Sequence, residues 1–98
     1  MPLIPAPAGV LEVDALWQQD NPNDPNTDTV ALLCHPNPLF DGTMNNKVVT
    51  TMYRFARDNS MHVVRFNFRG VGQSTGEHDY AEGEVVDAMT VLQWIAEQ

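Results

Sequence analysis

The run Gly72-Gln73-Ser74-Thr75-Gly76 has the form Gly-x-Ser-x-Gly. That form presents a nucleophilic serine when it joins a strand directly to a helix on a strained turn. Acyl transfer by such a serine also needs a base, an acid that orients the base, and donors aimed at the oxyanion. Glu77, His78 and Asp79 follow Ser74 and supply the letters of a triad. The context argues against a nucleophile. Arg69, Gly70 and Val71 already separate the run from the preceding apolar segment, and Glu77 to Gly83 is polar without helical periodicity. Triad members also converge from separate elements, which neighbours in one loop rarely imitate. Ser60, the other serine, sits in Asp58-Asn59-Ser60-Met61, a turn where Asn and Ser satisfy backbone groups.

Other chemistries fit less well. Cys34-His35 has the composition of a thiol-imidazole dyad, but adjacent strand residues point to opposite faces, and a buried, inert thiol is expected. Gly70, Gly72 and Gly76 hint at a dinucleotide loop. Their spacing is G-x-G-x-x-x-G, and no helix opens at the third glycine to hold a pyrophosphate. Arg69 has the chemistry to clamp a carboxylate or phosphate, although pairing with a nearby acid is the commoner outcome. The histidines, Cys34 and the acids show no ligand spacing, so neither a metal nor a cofactor is expected. One cysteine also excludes an internal disulfide framework.

The elements that would position these residues follow from periodicity. Val10 to Trp17 partly alternates apolar with acidic and reads as a half-exposed strand. Residues 20–28 are almost all turn formers. Thr29 to Cys34 is a nearly continuous apolar run, the pattern of a strand buried on both faces. His35 to Asn46 reads as a long loop ending in helix-capping residues. Val48, Val49, Met52, Phe55 and Ala56 form one helical stripe over 46–58, and Val85, Ala88, Met89, Leu92 and Ile95 another over 84–97. His62 to Phe68 is a further strand, and residues 69–83 form a glycine-rich loop. The order strand, strand, helix, strand, helix predicts an α/β layered domain with a mostly parallel sheet over residues 1–98, with 1–9 loose.

Charge is unevenly distributed. Residues 1–46 hold six acids and no Lys or Arg, residues 47–69 hold all five bases with one acid, and residues 70–98 hold six more acids. The cationic middle is either an anion site or, in the plainer reading, neutralised by flanks that fold over it. A formal net charge of −8 makes nucleic-acid or anionic-membrane partners unexpected. No run approaches the roughly 20 apolar residues of a membrane span. The start, Met1-Pro2-Leu3-Ile4-Pro5-Ala6-Pro7, lacks the basic and apolar regions of a secretory signal, so the expected location is cytoplasmic.

Two segments, Leu33 to Val49 with its His35-Pro36-Asn37-Pro38 run and Arg65 to Glu77 with its Arg69-Gly70-Val71-Gly72-Gln73-Ser74 run, resemble the amino-terminal half of an α/β-hydrolase. The resemblance is to the bacterial serine-hydrolase branch and covers roughly residues 29–98. It implies a partial α/β-hydrolase sheet of about three strands and two helices, lacking the nucleophile elbow. It also places an oxyanion donor in the loop after the apolar strand. Pro36 and Pro38 lack N–H groups, leaving the Asn37 amide as the donor between them and Leu39 as the second candidate. The branch often has a second histidine where this chain has Asn37. The catalytic histidine of the fold comes last in the chain, so His35, Arg69, Gly70, Gly72 and Ser74 are read as loop-shaping and no catalytic residue is assigned.

By the same resemblance the elbow would come with the next strand, just past Gln98. The chain therefore reads as the first part of a serine hydrolase acting on esters or related acyl substrates: a fragment, a truncated reading frame or one piece of a split enzyme, inactive alone. A small acyl substrate is expected only on completion by the missing half. The open edge of the Val30–Cys34 strand then invites self-association. Two other readings stand beside this one: a non-catalytic α/β module that binds a partner through that edge, and a nucleotide-binding half-domain.

Overall fold

The computed structural model describes residues 3–35, 42–77 and 82–98. Four strands, β1 (Leu3–Ala6), β2 (Gly9–Leu16), β3 (Val30–Cys34) and β4 (His62–Phe66), form one sheet in the order β1-β2-β4-β3. Helix α1 (Lys47–Asp58) connects β3 to β4, and α2 (Glu82–Ala96) follows β4. The β3-α1-β4 unit is parallel, with Val30 opposite His62 and Cys34 opposite Phe66. The β1-β2 and β2-β4 pairings are antiparallel. The sheet is therefore mixed and four-stranded, where the periodicity predicts three mostly parallel strands. Residues 1–9 are not loose throughout: Leu3–Ala6 folds back on β2 through a tight turn and pairs from Leu3↔Glu12 to Ala6↔Gly9. The four residues Leu3-Ile4-Pro5-Ala6 are too few to carry a strand pattern of their own; the pairing comes from β2.

Alternation along the strands sorts the two faces. Leu11 and Val13 of β2 and Val64 and Phe66 of β4 join Ile4 and Val91 in the buried cluster beneath α2. The opposite face carries Val63, and α1 packs there against β3 and β4 through Val49 and Ala56. Helix α1 starts where the Asn46 side chain accepts from the Val48 N–H (2.8 Å), an N-cap. It ends in a Schellman pattern: the Met61 N–H donates to the Ala56 carbonyl, the Ser60 N–H donates to that of Arg57, and Ser60 takes the left-handed conformation at φ 64°.

The apolar stripes divide differently from the sequence pattern. In α1 only Val49 and Ala56 are buried, while Val48, Met52 and Phe55 are exposed. In α2 the buried residues are Gly83, Asp87 and Val91, and Val85, Met89 and Leu92 lie exposed, about half a turn away. A helix that is apolar on nearly all sides is one that wants covering on more than one side. Strand β3 lies at the end of the strand order and none of its residues is buried, so the apolar run is an edge strand rather than one covered on both faces. No described helix is long and apolar enough to cross a membrane.

The burial contrast is directly measurable. Phe66→Ala removes a fully buried ring and is expected to lower unfolding free energy by about 3–5 kcal/mol. Phe55→Ser, at a residue 64% exposed, is expected to stay within about 0.5 kcal/mol. Urea denaturation of the two variants reads the difference.

Candidate functional site

Because β3 and β4 run parallel, their carboxyl ends and the loops leaving them share one edge of the sheet. That edge carries His35, the end of the β3–α1 loop, and residues 67–77. Asn37 and Leu39, the two oxyanion candidates, lie outside the described residues, as do His78 and Asp79.

Ser74 is not presented as a nucleophile. It is 5% exposed; its hydroxyl donates to the Asn67 carbonyl (2.6 Å) and accepts from the Glu12 N–H (2.8 Å). Thr75 acts beside it: its N–H donates to the Val10 carbonyl, and its hydroxyl accepts from the Val10 N–H and donates to the Ala8 carbonyl. The β2-β4 ladder covers Val13 to Leu16, and β2 begins four residues earlier, at Gly9. Ser74 and Thr75 supply the partners that β4 does not. The Gly-x-Ser-x-Gly run thus continues a sheet ladder with side-chain oxygens. Ser60, the other serine, forms the turn after α1.

Glu12 and Asp14, the acids of β2, do not simply face water as a half-exposed strand implies. Glu12 Oε1 accepts from Asn67 Nδ2 (2.8 Å) and from the Gln73 N–H (2.9 Å). Gly72 is required beside this pair: a Cβ there would stand 2.6 Å from both Asn67 Nδ2 and Glu12 Oε1, on a backbone at φ 55°. Asp14 Oδ2 accepts from Arg65 Nε (2.7 Å), and the Arg65 guanidinium also lies over the Tyr53 ring (4.5 Å). Gly70 takes φ 78° in the turn closed by the Val71 N–H on the Phe68 carbonyl.

Arg69 pairs with Asp87 on α2. The fully buried carboxylate accepts from the Arg69 backbone N–H, from Nε and from Nη2 (2.9 Å). Gly83 permits this approach, since a Cβ on it would meet the guanidinium at 2.6 Å. Two of the five bases of the cationic middle are thereby paired with acids from the flanks, Arg65 with Asp14 and Arg69 with Asp87. His35 is buried, and its Nε2 accepts from the Phe68 N–H (2.9 Å) while the ring meets Phe68 edge-on (4.9 Å). That lone pair is committed to a backbone donor and is not poised to take a proton from a nucleophile. His62 Nδ1 likewise accepts from the Gln18 N–H. Among the described residues no group of three or more His, Cys, Asp or Glu is placed to hold a metal ion.

Cys34 ends β3 and is exposed, not buried as the strand pattern suggests. Partial burial of the thiol itself still pushes its pKa above the ordinary cysteine value. Sequence reasoning missed three participants here: Glu12, Asn67 and Asp87. An acid alternating with apolar residues, and an acid on the sheet-facing side of α2, are the signals that were available.

Comparison with known proteins places this geometry. A solved α/β serine hydrolase homologue from Coxiella burnetii is 43% identical and superposes with a TM-score of 0.86, over 97% of this chain and 44% of that one. XC6422 from Xanthomonas campestris, an α/β serine hydrolase without a lid, is 37% identical with a TM-score of 0.88, over 99% of this chain and 44% of that one. The uncharacterized protein RP471 of Rickettsia prowazekii is 51% identical over 75 residues, 76% of this chain and 30% of RP471. No protein-family model matches the chain. The chain therefore has a partial α/β-hydrolase fold: a four-stranded open mixed sheet with two helices, related to α/β serine hydrolase-like proteins. It spans less than half the length of the solved structures it matches.

Two outcomes are expected at these residues. Ser74→Ala leaves the Glu12 N–H and the Asn67 carbonyl without their partner, and equilibrium unfolding should record a loss of about 1–3 kcal/mol. Cys34 should alkylate with iodoacetamide more slowly at neutral pH than a free thiol, because only the thiolate reacts and the raised pKa reduces its fraction. The rate should climb with pH through a midpoint above that of an ordinary cysteine.

Proposed function

We propose that this chain is the amino-terminal part of a serine hydrolase acting on esters or related acyl substrates, and that it does not turn them over alone. It contributes the sheet core and the loop after β3. The Asn37 N–H is the oxyanion donor, with Leu39 the second candidate, and His35, Arg69, Gly70, Gly72 and Ser74 shape the loops around that site. In this reading the nucleophile, the acid and the catalytic histidine are not among these residues, which span less than half of the similar solved structures.

The observation that carries the reading is the state of Ser74. Its proton and its lone pair are both committed to backbone groups, so the motif that looks catalytic does structural work. Support also comes from the surfaces that stand uncovered: Val48, Met52 and Phe55 on α1, Val85, Met89 and Leu92 on α2, and the edge of β3. These are the places where the rest of a domain would pack, and in its absence the β3 edge favours self-association. A cytoplasmic location is part of the same proposal.

The test is an activity-based one. A fluorophosphonate probe should leave the 98-residue chain unlabelled, and the chain should not hydrolyse short acyl esters. A phosphonyl adduct on Ser74 by mass spectrometry, with ester turnover by the same preparation, would overturn the proposal.

A further inference from the structure

The β3–α1 loop is gripped just before α1 begins, at the peptide of Met44. Its N–H donates to Asn67 Oδ1 (2.9 Å), and its carbonyl accepts from Arg65 Nη1 (3.2 Å). The Met44 side chain is itself buried. Asn67 stands directly after β4 and is 3% exposed, with every polar group used. Its backbone N–H donates to the Glu12 carbonyl, its carbonyl accepts from Ser74 Oγ, and Nδ2 donates to Glu12 Oε1. The orientation of this amide is therefore fixed by chemistry. A carboxylate only accepts, so Nδ2 must face Glu12, and Oδ1 is left for the Met44 N–H.

We propose that Asn67 is the positioning residue for the described end of the β3–α1 loop, fixing it at the Met44 peptide, with Glu12 holding the side-chain amide the right way round. The importance of that loop rests on the hydrolase reading given above; the bond relay itself does not. Asn67 touches no reacting group in this scheme. It acts through Met44 on the segment that leads back to residues 36–41, where Asn37 and Leu39 lie. Asn67 belongs to the loop that carries the Gly-x-Ser-x-Gly run, so one loop of the pair positions the other.

Reversing the polarity of the Asn67–Glu12 bond tests the relay without any need for activity. Glu12→Gln keeps an acceptor oxygen for Asn67 Nδ2 and for the Gln73 N–H, and should leave Met44 amide hydrogen exchange near that of the parent. Asn67→Asp keeps the acceptor for Met44 but places a carboxylate against Glu12. At neutral pH it should speed Met44 exchange roughly tenfold or more, the effect of losing one buried hydrogen bond. The double variant Glu12→Gln with Asn67→Asp restores a donor facing a carboxylate and should bring Met44 exchange back to the parent rate. A general loss of packing would not be rescued this way. Should Asn67→Asp not fold, the double variant carries the test: a folded chain with a protected Met44 amide supports the relay, and an unfolded one overturns it. Equal Met44 exchange in the single and double Asn67 variants also overturns it. Ester hydrolysis plays no part in this readout, so failure of the relay and failure of the hydrolase reading are separate results.

Discussion

The constraint on which this structure depends is the satisfaction of backbone groups where β2 outruns β4. A buried N–H left without a partner costs about 1–3 kcal/mol, and the Glu12 N–H of β2 is part-buried, while the neighbouring groups of Ala8 and Val10 make exposed bonds. Once Ser74 and Thr75 supply the partners, the path of residues 67–77 is no longer free. It must return to β2 after leaving β4, which forces the tight turns at Gly70 and Gly72 and brings Asn67, Glu12 and Gln73 together. The loop is thus built as an extension of the sheet.

The charge pattern is a second expression of the same architecture. Arg65 and Arg69 flank the point where β4 ends, and each takes an acid from a different part of the chain: Asp14 from β2, Asp87 from α2. Buried pairs of this kind add little net stability, because desolvation offsets much of the attraction. What they provide is position. Asp87 receives the backbone N–H as well as the side chain of Arg69, which ties the start of the loop to the helix that follows it.

Much of the fold was legible in the sequence, and the exceptions have physical causes. Both helices and three strands follow from periodicity, and the resemblance carried by the His35-Pro36-Asn37-Pro38 and Arg69-Gly70-Val71-Gly72 runs agrees with the partial hydrolase fold. Strand β1 was not legible because its order comes from pairing with β2, a non-local cause. The sequence shows one apolar stripe on each of α1 and α2, but periodicity reports which residues are apolar and not which are covered. Cys34 shows the same limit, a strand residue whose exposure depends on neighbours that periodicity does not name. At the site, the dismissal of Ser74 as an elbow serine rested on the segments around it. One of its hydroxyl's partners, the Glu12 N–H in β2, is 62 residues away and beyond any local reading.

The uncovered faces and the self-contained polar edge divide the molecule into a finished end and an unfinished surface. The finished end is the central claim, and amide hydrogen exchange of the 98-residue chain reads it most directly. If Ser74 and Thr75 truly continue the ladder, the Glu12 and Val10 amides exchange as slowly as those of the β2-β4 pairing from Val13 to Leu16. Exchange of Glu12 and Val10 at the rate of open loop amides, with that pairing still protected, would contradict it.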